Sequence, residues 1–134
     1  MKHILYILCP FVIIMNISAQ NFIGMNKVEI SKLMTVNHPD FVYVDDAVNK
    51  AYKYMKYTDQ DGNQTWLFFL SADEHCTVSK LICDYMHYDR LTASLDKTYK
   101  KAGTNSWSFN DKGIDYIVEI RKDEWFFSII TKKK

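Results

Sequence analysis

Glycine and proline are scarce in this chain, at four and two residues of 134. With so little glycine there is no Gly-rich loop to cradle a nucleotide phosphate and no Gly-x-Ser-x-Gly elbow for a hydrolytic serine. Only three cysteines are present, Cys9, Cys76 and Cys83, too few for a small disulfide-stapled scaffold. Charge of one sign is missing as well. The 17 basic side chains nearly balance the 16 acidic ones, so no long-range field favours nucleic acid or an anionic membrane. The run Lys132 to Lys134 is too short to make a basic patch and reads as a solvated tail. No apolar run approaches the ~20 residues of a spanning helix.

One shorter apolar run exists, Ile4 to Ile14, interrupted only by Tyr6 and Pro10. Lys2 and His3 precede it, and Asn16, Ser18 and Ala19 follow. Basic, then apolar, then small is the order of a secretory signal peptide, expected over residues 1–20 with cleavage after Ala19 or Gln20. Cys9 sits inside the run behind Leu8, without the preceding small residue that lipid attachment needs. The expectation is therefore a periplasmic or secreted domain over residues 21–134, soluble and without membrane insertion. Losing Lys2 with the leader leaves 16 basic and 16 acidic groups. A chain of that length can bury one core without staples.

Nine Tyr, eight Phe and three Trp predict an aromatic-rich sheet. A helix begins at Asn26, whose side chain can accept the amide of Glu29 while Glu29 reaches back, with Met25 and Ile30 placed as a hydrophobic staple. Ile30, Leu33 and Met34 form its apolar stripe, and Asn37 and Pro39 end it. After an irregular link, 51–58 alternates at period two, Gly62 turns the chain, 65–71 is apolar on both faces, and 76–83 follows as a third strand. A second helix is expected over 88–103, with Asp89 as N-cap, Leu91, Leu95, Tyr99 and Ala102 buried, and Gly103 as its stop. The remainder reads as a meander: 106–109, a type I turn at 110–113, 114–121, a Lys122–Asp123 turn, and 124–130. That last turn pairs Ile120 with Trp125, Val118 with Phe127 and Tyr116 with Ile129. The result is a two-layer α+β domain, a six-stranded antiparallel sheet with two helices on one face. Its order is compatible with a tandem α-β-β-β duplication.

The stretch Gly24-Met25-Asn26-Lys27-Val28-Glu29-Ile30 resembles a Gly-Met-(Ser/Thr)-x-x-Glu-Val pattern found just past the leader in small bacterial envelope proteins. These are the outer-membrane-assembly lipoprotein type and β-lactamase-inhibitor-like domains. The whole chain is also similar to small secreted proteins of Bacteroides-type bacteria. Asn26 stands where the pattern has Ser or Thr, and no lipid-bearing cysteine precedes the domain. The resemblance implies a protein-binding, non-catalytic role and carries over no functional residue, because the motif is a helix cap.

Cys76 and Cys83, placed on one strand, would lie ~23 Å apart, against the ~7 Å that a bridge allows. Their odd spacing points them to opposite faces, so both are expected as free thiols, Cys83 in the core and Cys76 near a turn. His75, Cys76, Cys83 and His87 lack the close ligand pairs of a structural zinc site. A nucleophilic pair of Cys76 and His75 would diverge from a strand and lacks an orienting third group. Asp59, Asp61 and Asn63 around Gly62 suggest a calcium loop. Aligned on the glycine, however, Tyr57 and Phe68 occupy ligand positions, so a hairpin turn is expected. No metal or cofactor is expected.

The face turned from the helices is then the candidate site. Trp66, Phe68, Leu70, Leu81, Val118, Ile120, Trp125 and Phe127 are assigned to the helix side. Tyr52, Tyr54, Leu67, Phe69, Ile117 and Phe126, with Val78 and Ile130, fall on the other. So apolar a face calls for a cover, from the 37–50 link or a homodimer, or for a binding partner. The function expected is a non-catalytic inhibitor or envelope assembly factor that binds another protein or peptide. The alternative is a small secreted enzyme or ligand carrier with His75, Asp84, His87 and Asp115 around an apolar pocket.

Overall fold

A computed structural model describes residues 21–48 and 53–134, with the side chains of 45–48 left out. The expected leader and Tyr52 lie outside the described residues. In chain order the elements are α1 (Lys27–Asn37), β1 (Phe41–Val48), β2 (Lys53–Asp59), β3 (Gln64–Leu70), β4 (Cys76–Asp84), α2 (Tyr88–Thr98), β5 (Lys100–Gly103), β6 (Ser106–Asp111), β7 (Ile114–Lys122) and β8 (Phe126–Lys133). The strands form one antiparallel sheet in the order β1-β2-β3-β4-β8-β7-β6-β5. The chain thus runs through a helix and a four-strand meander twice, and the two meanders join at β4–β8.

This corrects the expected architecture. The sheet has eight strands, not six, and the fold is β-rich with helices a minor part. One missed strand is β1, in the stretch read as an irregular link. The other is β5, read as the end of the second helix. Helix α2 stops at Thr98 because Tyr99 turns extended and stacks on Phe109, ring centroids 4.6 Å apart. Lys100 and Lys101 then pair with Ser108 and Trp107. Asp89 does not cap α2; His87 holds that position, without a side-chain cap bond.

The first helix starts as its sequence dictates. Asn26 Oδ1 accepts the Glu29 amide at 2.9 Å, and Glu29 reaches back to the Asn26 side-chain amide rather than to its backbone N–H. Ile30 is fully buried beneath Met25. The strand-like entry is fastened to β4 by Gly24 N–H donating to Cys76 O at 2.7 Å and Cys76 N–H donating to Met25 O at 2.8 Å. Gly24, at φ +89°, occupies a left-handed conformation that disfavours any side chain. Asn26→Ala should lower stability by about 1 kcal/mol, read as a shift in urea midpoint at constant slope. A change of slope would mean that the whole entry segment had detached.

Two turns differ from expectation. The β6–β7 loop is Lys112–Gly113 with φ of 52° and 83°, the primed hairpin geometry whose twist matches the strands, rather than a type I turn. The β7–β8 hairpin turns at Glu124–Trp125, closed by Asp123 N–H donating to Phe126 O at 2.9 Å. Ile120, Val118 and Tyr116 consequently face Ile129, Thr131 and Lys133 instead of Trp125, Phe127 and Ile129. The cause is packing under α2. Phe127 is fully buried edge-on to Tyr88 at 5.1 Å, and Lys122 stays in the strand opposite it, its ammonium 4.9 Å from the Tyr88 ring. Burial of a phenyl ring outweighs the turn preference of a Lys-Asp pair. The slip is by an even number of residues, so every paired side chain keeps its face. Only Trp125 changes place, from the helix side to an exposed loop tip.

Both helices pack on one face. Ile30 and Met34 of α1 meet Met55, Tyr57 and Phe68, while Leu95 of α2 meets Cys83, Trp107, Val118, Ile120 and Phe127. Cys76 belongs to the first cluster and Cys83 to the second, so the two free thiols share a face. The odd spacing misled because the β3–β4 register shifts between Phe69 and Leu70, and a bulge reverses the alternation beyond it.

Candidate functional site: the helix-free sheet face

Pairing places the expected residues together. Across the sheet, Tyr54 faces Phe69, Phe69 faces Val78, Val78 faces Lys132 and Lys132 faces Ile117. One row along, Lys56 faces Leu67, Leu67 faces Lys80, Lys80 faces Ile130 and Ile130 faces Glu119. The rings of Tyr54 and Phe69 lie 5.7 Å apart. Phe126 ends the same side of β8 opposite Asp84, beside the exposed Trp125. Tyr54, Leu67, Phe69, Ile117 and Phe126 therefore share one surface.

That surface is less apolar than the sequence reading implied. Tyr54, Leu67, Phe69 and Ile117 are half-buried, and Ile130 is buried. Lys56, Lys80, Lys132 and Arg121 occupy positions between them, their stems able to cover the apolar surface while the charged heads stay in water. Lys132 Nζ lies 4.0 Å from Glu119 Oε2. Ser128, between Ile82 and Arg121 in the pairing, is fully buried and its hydroxyl has no hydrogen-bond partner among the described residues. These basic residues were missed although period-two alternation puts Lys56 with Tyr54, Lys80 with Val78, Arg121 with Ile117 and Lys132 with Ile130 on their own strands. Residues 41–48 of the 37–50 link extend the sheet as β1 rather than folding over this face.

The polar candidates for an enzymatic pocket do not converge. His75 precedes β4 and bridges Asn26, whereas Asp84 ends that strand and accepts the Met86 amide at 2.9 Å. His87 stands before α2, and Asp115 accepts from Asn110 at 2.9 Å in β7. The order of the strands puts His75 and Asp115 at one end of the sheet and Asp84 and His87 at the other. His75 and Cys76 are likewise separated from Cys83 and His87 by the length of β4. Asp59 Oδ1 accepts the Gln64 amide at 3.0 Å inside a hairpin turn with Gly62 at φ +71°. No helix among the described residues is long and apolar enough to cross a membrane.

On the helix side, His38 is held among Phe22, Phe41 and Trp66, its ring 4.9 Å from that of Trp66. Burial pushes its pKa below the ordinary 6.5, against the opposing pull of Asp40. A histidine whose folded pKa is depressed contributes stability above its unfolded pKa and loses it as pH falls through the folded one. Stability should therefore decline on acidification from about pH 6.5 downward, and His38→Phe should flatten that segment of the pH profile. An unchanged profile would show that His38 titrates as if in water.

No protein-family model, curated protein or solved structure matches the chain.

Proposed function

We propose that this is an exported, non-catalytic protein-binding domain that engages another protein or peptide through its helix-free sheet face. The observation that supports the reading is the row of Tyr54, Phe69 and Val78, continued across Lys132 to Ile117 and with Leu67 beside it, on a face that no described element packs against. Rigid aromatic and aliphatic anchors on a sheet offer contact area at little conformational cost, and basic residues among them steer and orient a partner. Export rests on the leader-like N-terminus alone.

The test is affinity capture from an envelope extract with wild type and a Phe69→Asp/Phe126→Asp variant, each verified as folded by circular dichroism. Recovery of a partner by wild type and its loss with the variant are the expected results. Identical recovery by both, or none by either, would overturn the proposal. Mass spectrometry of the recovered protein tests export separately: the chain should begin at Gln20 or Asn21.

A further inference from the structure

We propose that the partner of the helix-free face presents an extended acidic segment, in which carboxylates are interspersed with apolar side chains. The inference rests on reading that face as a protein-binding surface and adds the chemistry of what binds there. The chain as a whole is nearly neutral, at a formal net charge of +1, yet its charges are unevenly placed. On the four adjacent strands β2, β3, β4 and β8, the face carries Lys56, Lys80 and Lys132 among its apolar residues. Leu67 stands between Lys56 and Lys80 in the pairing. At the usual strand spacing the two lysines are ~9–10 Å apart. Lys132 is diagonal to Lys80, two residues beyond its partner Ile130, a separation of ~7–8 Å.

The carboxylates of this face, among the described side chains, stand at the margins of the patch and are engaged. Glu119, one strand further on, lies 4.0 Å from Lys132. Asp115 accepts from Asn110 at 2.9 Å, and Asp84, at the end of β4, accepts the Met86 amide at 2.9 Å. Lys56 and Lys80 form no ion pair among the described residues. Both are half-buried, with stems suited to lie on the apolar surface and heads in water. Like charges gathered on one face repel one another. A carboxylate brought among them relieves that repulsion and makes charge-assisted hydrogen bonds.

The spacing says how those carboxylates are arranged. Along β4 the face presents Val78, Lys80 and Ile82, alternate residues of one strand. An extended peptide laid over β4 offers its own alternate residues at the same rise, so apolar, acidic and apolar at every second position matches them. Tyr54 with Lys56, and Ile130 with Lys132, repeat the alternation on β2 and β8. Two other anionic partners fit less well. Adjacent strands twist by ~20–25°, so from β2 to β8 the surface turns through about 60–75° and meets a planar bilayer along a narrow band only. Tyr54 and Phe69 are half-buried and tilted against each other by 54°, which leaves little ring face on which nucleic-acid bases stack.

The experiment is an NMR titration of the purified ¹⁵N-labelled protein with a capped peptide, as long as β4, that repeats valine-serine-glutamate-serine. The expected result is amide shifts confined to β2, β3, β4 and β8, with binding that weakens as salt is added. The same peptide with glutamine for glutamate should bind at least about tenfold more weakly, having lost the charge-assisted bonds. A lysine version should bind more weakly still. Lys56→Gln/Lys80→Gln should weaken binding of the glutamate peptide by a similar factor. Lys56→Glu/Lys80→Glu, verified as folded by circular dichroism, should instead prefer the lysine peptide. The glutamine variant and the three peptides on wild type carry the test if the reversed variant does not fold. Equal binding of the three peptides, shifts located elsewhere, or undiminished binding by Lys56→Gln/Lys80→Gln would overturn the proposal. No binding of any peptide would overturn it too, as would sedimentation with phosphatidylglycerol vesicles in place of peptide binding. The face itself is decided separately by the capture experiment, in which Phe69→Asp/Phe126→Asp loses the partner whatever the partner's charge.

Discussion

Trp107→Ala should be the most damaging single substitution, lowering stability by about 3–5 kcal/mol, a large share of the roughly 5–15 kcal/mol that a domain usually has. Trp107 is fully buried in β6 and belongs to the cluster of Leu95, Cys83, Val118, Ile120 and Phe127 that seats α2. Its Nε1–H donates to Asp96 Oδ1 on α2 at 2.9 Å, and Lys101 Nζ lies 4.5 Å from the ring centroid on the outer strand. One side chain thus joins the helix, the core and the sheet edge. Removing it leaves a cavity and frees Asp96 into water, where the carboxylate loses little. Trp107→Phe should therefore keep most of the packing and lose about 1 kcal/mol with the hydrogen bond. Urea unfolding followed by circular dichroism would measure both. A loss below about 1 kcal/mol for Trp107→Ala would mean that α2 is not held by this ring.

The thiols should be nearly inert in the native protein. Burial pushes both Cys76 and Cys83 up to about 12, far above the ordinary range, and the thiolate is the reactive form. A rise of about three pH units leaves about a thousand-fold less thiolate near neutrality, and steric exclusion slows labelling further. Peptide mapping after brief alkylation at pH 8 should find both residues unmodified in native protein and both modified in urea. Rapid native labelling of either would place it at the surface. The same shift governs alkaline stability. A thiol whose folded pKa lies above its unfolded value of 9.0 contributes fully below pH 9 and loses that contribution as pH rises toward 12. Tyr99, also pushed up by burial to about 12, adds to the loss above pH 10. Each group withdraws about 1 kcal/mol per pH unit within its window. Cys76→Ala/Cys83→Ala should show a shallower decline above pH 9.

Local chemistry alone determined a good part of this protein. Asn26 and Glu29 mark the start of α1, Gly62 and Gly113 mark two hairpin turns, and alternation at period two separates the two sides of the central strands. Each of these signals acts over a few residues through backbone geometry or a single hydrogen bond. For that reason Leu67, Phe69, Ile117 and Phe126 are assigned to one surface by sequence alone. Lys80 alternates with Val78 and Lys132 with Ile130 on their own strands, so both were legible by the same rule.

What the sequence did not determine was decided by packing between segments distant in the chain. FVYVDDAV becomes a strand only because β2 presents a partner edge, and its acidic pair hides that potential. Lys100 and Lys101 leave the helical pattern because Tyr99 gains more by stacking on Phe109, and the paired strand β6 stands ready. The β7–β8 turn moves to Glu124–Trp125 because Phe127 and Tyr88 bury each other beneath α2. Cys76 turns inward because a bulge opposite Phe69 and Leu70 resets the alternation. In each case a local preference worth about 1 kcal/mol or less yields to burial of an aromatic or aliphatic side chain worth about 1.5–3 kcal/mol, a sum that only the assembled sheet can complete.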